Sequence, residues 1–184
     1  MKLQTIRGVK DILPNEIWKW QWVELIAHKI FPRYGFKEIR IPIFENTRLF
    51  SRSIGETTDI VEKEMYTFED RGGDSITLRP EGTASVVRAY IQHKMYAPPS
   101  VTKMFYIGPM FRYERPQAGR LRQFYQIGVE AMGSPSPTVD VEVMTMLIEF
   151  FRELGIEDSK LQINSLGNHN CRPQYRNFLK LEIK

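Results

Sequence analysis

Residues 104–130, MFYIGPMFRYERPQAGRLRQFYQIGVE, constrain the fold more than any other stretch. The run alternates at a period of two on either side of a link containing proline and glycine. That is the pattern of two strands joined by a loop. On the second limb, Arg122, Phe124, Gln126, Gly128 and Glu130 share one side, with Gln123, Tyr125, Ile127 and Val129 on the other. On the first limb, Tyr106, Gly108, Met110, Arg112 and Glu114 share a side, opposite Phe105, Ile107, Phe111 and Tyr113. An ordinary half-buried hairpin sets an apolar face against a loosely charged wet one. Here the polar face mixes arginine, glutamate, glutamine and a ring, and the loop 115–121 adds Arg115 and Arg120. With Arg112, Arg115, Arg120 and Arg122 set against Glu114, segment 112–122 carries a net charge of +3. That composition suits a charged phosphate ligand bearing a flat base.

The rest of the chain frames this hairpin. Asn15 to about Tyr34 reads as a helix, with Asn15 as its cap and Ile17, Trp20, Ile26 and Ile30 on its apolar face. Trp18, Trp20 and Trp22 read as core or interface packing in preference to a ligand box. Gly35 ends the helix. Phe36–Ile43 alternates as a strand, and Pro42 near its end suits a sheet edge or an interface. Met65–Phe68 and Ser75–Leu78 predict a hairpin around a turn-rich link. Arg79-Pro-Glu-Gly-Thr predicts a helix start, running to about His93. Thr138 or Asp140 starts a helix to about Leu154, Lys160–Asn164 reads as a strand, and Cys171–Leu181 as a last helix. Strands that follow one another without intervening helices predict an α+β fold, an antiparallel β-sheet flanked by helices.

Composition narrows the class. The 184 residues are 42% hydrophobic and 26% charged, enough for one ordinary core in a soluble globular domain. No run of about 18 apolar residues predicts a membrane span. The start, MKLQTIRGVKDILP, has no apolar core of a secretory signal, and the single cysteine, Cys171, fits a reducing compartment. A cytoplasmic location is expected. The net charge of +4 is compatible with nucleic-acid contact without requiring it.

Several residues admit two readings on pattern alone. Arg112 and Glu114 point to one side of a strand; Arg112 can fork onto a phosphate, or the residues can join cross-strand ion pairs of little net value. Phe124 suits stacking on a flat base, or packing against a covering helix. Gln126 and Glu130, roughly 13 Å apart along the strand, can line one elongated pocket. Glu81 and Thr83 can add a second wall suited to an ammonium group, or Glu81 can serve the first turn of a helix. His28, His93 and His169 are scattered, so no transition-metal site is indicated. No Gly-x-Ser-x-Gly elbow or Cys/His pair is present, so an enzyme of this sequence works without a protein nucleophile.

Four segments together resemble the histidyl-tRNA synthetase family almost end to end. They are Ile6-Arg-Gly-Val-Lys-Asp-Ile-Leu-Pro, Val61-Glu-Lys-Glu-Met-Tyr-Thr-Phe, Arg79-Pro-Glu-Gly-Thr-Ala, and Phe111-Arg-Tyr-Glu through Glu130. Phe36–Glu45 with Pro42 resembles class II motif 1, which in that family forms the homodimer interface. Phe111 through Glu130 resembles motif 2. The resemblance implies an ATP- and Mg²⁺-dependent ligase that converts L-histidine to histidyl-adenylate and transfers it to tRNA(His). On matching positions, Arg112 would contact the α-phosphate and the amino-acid carboxylate, as the catalytic residue. Glu114 would accept from the adenine amino group, Phe124 would stack on adenine, and Arg120 would hold the terminal phosphates. Glu81, Thr83, Arg112, Gln126 and Glu130 would line the histidine pocket. Arg115 and Gln117 would face the tRNA acceptor end.

The resemblance also implies that residues 1–184 are the N-terminal portion of a class II catalytic domain. The family's Arg-Gly-Leu-Asp-Tyr-Tyr segment, motif 3 and anticodon-binding domain lie further downstream, so the 184-residue chain is expected to be inactive alone. The alternative is the synthetase-like regulatory subunit of ATP phosphoribosyltransferase, which would have little need of Arg112, Glu114, Arg120 and Phe124 together.

Overall fold

A computed structural model describes residues 3–54, 64–97, 100–114, 117, 119–164, 167–168 and 170–182. The elements run α1 (Ile17–Ile30), a 3₁₀ turn (Phe31–Tyr34), β1 (Lys37–Glu38), β2 (Phe44–Asn46), α2 (Thr47–Ile54), β3 (Thr67–Glu69), β4 (Ser75–Leu78) and α3 (Thr83–Gln92). They continue with β5 (Thr102–Phe111), β6 (Gln123–Met132), α4 (Pro137–Glu153) and α5 (Arg172–Glu182).

The alternating stretch forms the predicted hairpin. β5 and β6 pair antiparallel from Thr102↔Met132 to Phe111↔Gln123, and the Arg112 N–H donates to the Arg122 carbonyl at 2.9 Å beyond the last rung. Residues opposite each other in such a ladder share a face. Tyr106 therefore faces Gly128, Gly108 faces Gln126, and Met110 faces Phe124, as the alternation implies. A second small sheet, in order β2-β4-β3, is antiparallel throughout. The expectation of a purely antiparallel sheet needs one correction: β1 lies parallel to β5, Lys37 beside Met104 and Glu38 beside Phe105. Gly35, at φ 80°, turns the chain out of the 3₁₀ segment into that register.

Each face of the large sheet carries a different load. On one side Phe105 joins Ile26, Ala27, Ile30 and Phe31 of the α1 region, Phe36, and Met146 and Phe150 of α4 in the principal core. On the other, Met104, Tyr106 and Met110 pack with Ile41 and with Val86 of α3. β5 is thus covered on both faces, and the site shares its face with this second cluster.

Local chemistry explains where the elements start. α4 begins because Ser136, extended at ψ 128°, accepts from the Thr138 N–H, with Pro137 in the first turn and Asp140 at its positive end. Replacing Ser136 by alanine should cost about 1 kcal/mol, read as a lowered melting temperature. Asn15 does not cap α1. The Leu13 carbonyl takes the Glu16 and Ile17 amides, at 2.9 and 3.0 Å, and the Asn15 carbonyl accepts from the Trp18 indole. The strand expected over 36–43 shrinks to Lys37–Glu38, because the Ile41 and Pro42 carbonyls serve an arginine side chain instead of a neighbouring strand. The helix expected to start at Arg79 begins at Thr83. The Arg79 backbone still extends the sheet, its N–H on Ile43 and its carbonyl on Phe111. No strand forms over 160–164. Trp18 and Trp22 lie outside the core on an exposed side of α1, while Trp20 meets Tyr125 edge to face at 4.8 Å. No helix among the described residues is long and apolar enough to cross a membrane.

Candidate functional site

Arg79 is the keystone beneath the site. It is buried, and burial pulls its pKa down. Its guanidinium donates to three backbone carbonyls: Pro109 at 2.8 Å, Ile41 at 2.7 Å and Pro42 at 3.3 Å. It therefore ties the end of β5 to the segment before β2. Gly108 makes room for it, since a Cβ there would lie 2.4 Å from Nη2.

From Arg79 the chain passes Pro80, whose carbonyl accepts from Arg112 Nε at 2.8 Å. Arg112 Nη1 lies 3.8 Å from Glu114 Oε1, and Arg120 Nη1 lies 3.7 Å from Glu114 Oε2. Both separations exceed a good hydrogen bond, so Glu114 is flanked by two cations without being saturated by either. The Arg112 guanidinium carbon sits 5.1 Å from the centre of the Phe124 ring. Arg112, Glu114, Arg120 and Phe124 together line an open cleft of about 540 Å³, completed by Glu64, Gly119, Leu121 and Tyr125. Both ionic contacts run to Glu114, whose backbone carbonyl also accepts from Arg122 Nε at 3.4 Å. Within the loop, Gln117 and Arg120 exchange backbone hydrogen bonds, at 3.3 and 2.9 Å. Arg115 lies outside the described residues, as do Val61–Lys63 and His169.

The second cluster stands further along the same sheet face. Glu81 accepts from the backbone amides of Thr83, at 2.5 Å, and Ala84, at 2.9 Å, so it caps α3. The Thr83 hydroxyl donates to Glu130 Oε1 at 2.7 Å. Burial, countered by that hydrogen bond and reinforced by the nearby Glu81 charge, raises the Glu130 pKa. Tyr106 lies beneath, and burial, with the Glu130 charge adding to it, pushes its phenol up to about 12. The Gln126 Oε1 atom is buried with no hydrogen-bond partner. This sheet face thus carries an unsatisfied acceptor, Gln126, and two neighbouring carboxylates, Glu81 and Glu130, groups suited to a cationic donor.

Glu130 should leave a mark on stability. A carboxyl whose folded pKa is raised binds protons more tightly in the folded state. Stability then falls as pH climbs from the ordinary carboxylate value through the raised one. Glu130→Gln keeps an acceptor for Thr83 and removes that loss. The gain in melting temperature over the parent should be larger near about pH 7.5 than near about pH 4.5. An equal shift at both would assign the effect to packing.

Sequence reasoning put Arg112, Glu114, Arg120 and Phe124 in one group and Glu81, Thr83, Gln126 and Glu130 in another, and the fold assembles both. Pro42 lies apart from them, exposed beside Ile43 and Phe44, its carbonyl held by Arg79. Arg79 and Tyr106 were missed as site components. The only signals available were an arginine before Pro80 and a tyrosine on the polar side of β5. Glu64 was also missed.

The sheet and its flanking helices are those of class II aminoacyl-tRNA synthetases. An apo histidyl-tRNA synthetase from S. aureus superposes with a TM-score of 0.79 at 45% identity, over 96% of this chain and 41% of that one. The family profile for histidyl-tRNA synthetase matches residues 8–168, and the chain belongs to that family. The histidine–tRNA ligase of Geobacter metallireducens is 61% identical over 95% of this chain, and that of Halalkalibacterium halodurans is 57% identical over the whole of this chain. The chain spans 42% and 43% of the lengths of these two relatives. A Bacillus halodurans protein named as an ATP phosphoribosyltransferase regulatory subunit/histidyl-tRNA synthetase shares the fold, with a TM-score of 0.76 at 20% identity.

Proposed function

We propose that the chain is the N-terminal portion of a class II catalytic domain, carrying motifs 1 and 2, of a histidine–tRNA ligase. The protein would activate L-histidine with ATP and transfer it to tRNA(His). The observation that carries this reading is a single sheet face. It holds a doubly flanked carboxylate, an arginine and a ring at one end, and two neighbouring carboxylates with an unsatisfied glutamine oxygen further along.

Histidine lies with its charged nitrogens toward Glu81, Thr83, Gln126 and Glu130, and with its carboxylate toward Arg112. ATP occupies the cleft, its adenine against Phe124 and Glu114 and its terminal phosphates near Arg120. A histidine carboxylate oxygen attacks the α-phosphorus, the bond to the β-phosphate oxygen breaks, and pyrophosphate leaves with that electron pair. The substrate supplies the nucleophile, so the protein's task is placement and charge neutralisation. Arg112 does both, because its fork reaches two negative oxygens at once. The hydroxyl oxygen of the terminal adenosine of tRNA then attacks the acyl carbon, the bond to the AMP phosphate oxygen breaks, AMP leaves with that electron pair and the hydroxyl proton passes to solvent; Arg115 and Gln117 would serve the acceptor end.

Mg²⁺ is the metal of the family's reaction. Among the described residues no three His, Cys, Asp or Glu side chains converge on a metal site. A divalent ion here would be held mainly by nucleotide phosphate oxygens. The steps above rest on the arginines. The exposed Pro42–Phe44 segment supports a homodimer contact through motif 1, and a cytoplasmic location goes with the ligase reading.

ATP–pyrophosphate exchange dependent on L-histidine tests the reading, run on this chain and on one extended to the length of its relatives. Exchange in the extended chain and none in the 184-residue chain is expected. Absence of exchange in both would overturn the reading.

A further inference from the structure

We infer that the turn Ile6–Val9 is a strap on the return limb of the motif 2 loop, with Gly8 as its positioning residue, and that it sets Arg120 and Phe124 for the nucleotide. The inference deepens the ligase reading above and rests on it.

The turn is built to present carbonyls. The Val9 N–H donates to the Ile6 carbonyl at 3.1 Å, and Gly8 sits at φ 86°. Arg7 is not among the residues of positive φ, so the geometry is a type II turn, whose third position takes glycine or asparagine. The Gly8 carbonyl accepts from the Arg122 N–H at 2.7 Å and from the Gln123 N–H at 3.3 Å. The Arg7 carbonyl accepts from Arg122 Nη1 at 3.4 Å. Filling a core is not what this segment does, because Leu3 and Ile6 stay 94% and 66% exposed.

What it holds is the neck of the hairpin. The last rung between β5 and β6 is Phe111↔Gln123, so Arg122 stands one residue outside the ladder. Its carbonyl takes the Arg112 N–H at 2.9 Å, its amide is on Gly8, and its guanidinium carbon lies 4.1 Å from the centre of the Tyr113 ring. The backbone at Arg122 is thereby gripped from both sides. The limb it belongs to carries Arg120 two residues before it and Phe124 two residues after it. On the outgoing limb, Arg112 has an anchor of its own on the Pro80 carbonyl. The Arg120 backbone is bonded within the loop, to Gln117, so its place 3.7 Å from Glu114 is inherited from the neck. Fixing the limb in advance lowers the ordering cost when the nucleotide arrives. Gln126 and Glu130 lie well inside the ladder, opposite Gly108 and Met104, and do not depend on the strap.

The test uses the full-length protein and the variants Gly8→Val, Gly8→Asn and Gly73→Val. A β-branched residue at positive φ is strained, whereas asparagine tolerates it. Gly73, at φ 87° between β3 and β4, imposes the same strain outside the cleft. KM values for ATP and for histidine are measured by pyrophosphate exchange, alongside melting temperatures and the ATP Kd by calorimetry. Gly8→Val should raise the ATP KM about tenfold and leave the histidine KM within about twofold. Gly8→Asn should keep the ATP KM within about threefold of the parent, and Gly73→Val should keep both KM values within about twofold. An ATP KM unmoved by Gly8→Val, equal rises in both KM values, no rescue by asparagine, a like rise in Gly73→Val, or collapse of the Gly8→Val fold would each overturn the inference. If the unaltered protein shows no histidine-dependent exchange, the ligase reading fails by itself, and the ATP Kd of Gly8→Val against the parent still decides the strap. Absence of ATP binding by the parent would end both.

Discussion

Arg112→Ala should reduce histidine-dependent pyrophosphate exchange by the full-length protein by about 10²- to 10³-fold, the range for loss of one pre-aimed donor to developing charge. The side chain is placed before any ligand arrives: Nε is fixed on the Pro80 carbonyl, and the guanidinium lies against the Phe124 ring. Its contact with Glu114, at 3.8 Å, is loose, so little is broken when phosphate oxygens compete for it. Arg112→Lys keeps the charge and loses the planar fork, which should recover only part of the rate. Loss of its donor to the buried Pro80 carbonyl should cost about 1 kcal/mol of stability, a small fall in melting temperature beside the collapse of exchange. A drop of less than tenfold in exchange by the alanine variant would show that the charge is neutralised elsewhere.

Arg79→Met should act in the opposite sphere, on stability first. The substitution bares the Pro109 and Ile41 carbonyls, which now accept at 2.8 and 2.7 Å, and the more distant Pro42 carbonyl. An unsatisfied buried acceptor costs roughly 1–3 kcal/mol. Against this, the variant no longer buries a cation, whose desolvation already pulls the arginine pKa down. The carbonyls outweigh that relief because several lose their donor at once, and the expected net loss is about 2–3 kcal/mol. For a domain of this size that lowers the melting temperature by roughly 5–10 °C. Gly108→Ala, whose Cβ would lie 2.4 Å from Nη2, should reproduce the direction without touching the charge. An unchanged melting temperature in both variants would remove Arg79 from its structural role.

Much of the site was legible because period-two alternation survives tertiary context when both strands are long. Residues 104–130 fix the face and, through the loop, the register that sets Gly108 beside Gln126 and Met110 beside Phe124. Glu81 was open between a cap and a pocket wall. Its oxygens now hold two helix amides beside the Thr83–Glu130 pair, so the two descriptions concern one carboxylate. What stayed hidden depends on residues far apart in sequence. Nothing in the run Tyr106–Met110 shows that Gly82 must leave space for a ring, or that Arg79 reaches back to Ile41. Local signals also lost to backbone competition: Asn15 is a good capping residue, yet the Leu13 carbonyl had already taken the first amides of α1. The strand expected over Lys160–Asn164 does not form, since among the described residues no neighbouring strand pairs with that segment.

β5 is pressed from both sides, by α1 and α4 on one face and by the Val86 cluster and the site on the other. A change along this strand is therefore judged twice, once by the packing that keeps the domain folded and once by the geometry that holds ligands. Selection for a new amino acid or nucleotide has little freedom there, because variants that reshape the pocket through β5 also spend stability. β6 offers more room: its site-facing positions Phe124, Gln126 and Glu130 are only partly buried. Altered specificity in this scaffold should enter through the second strand, with the first retained as its foundation.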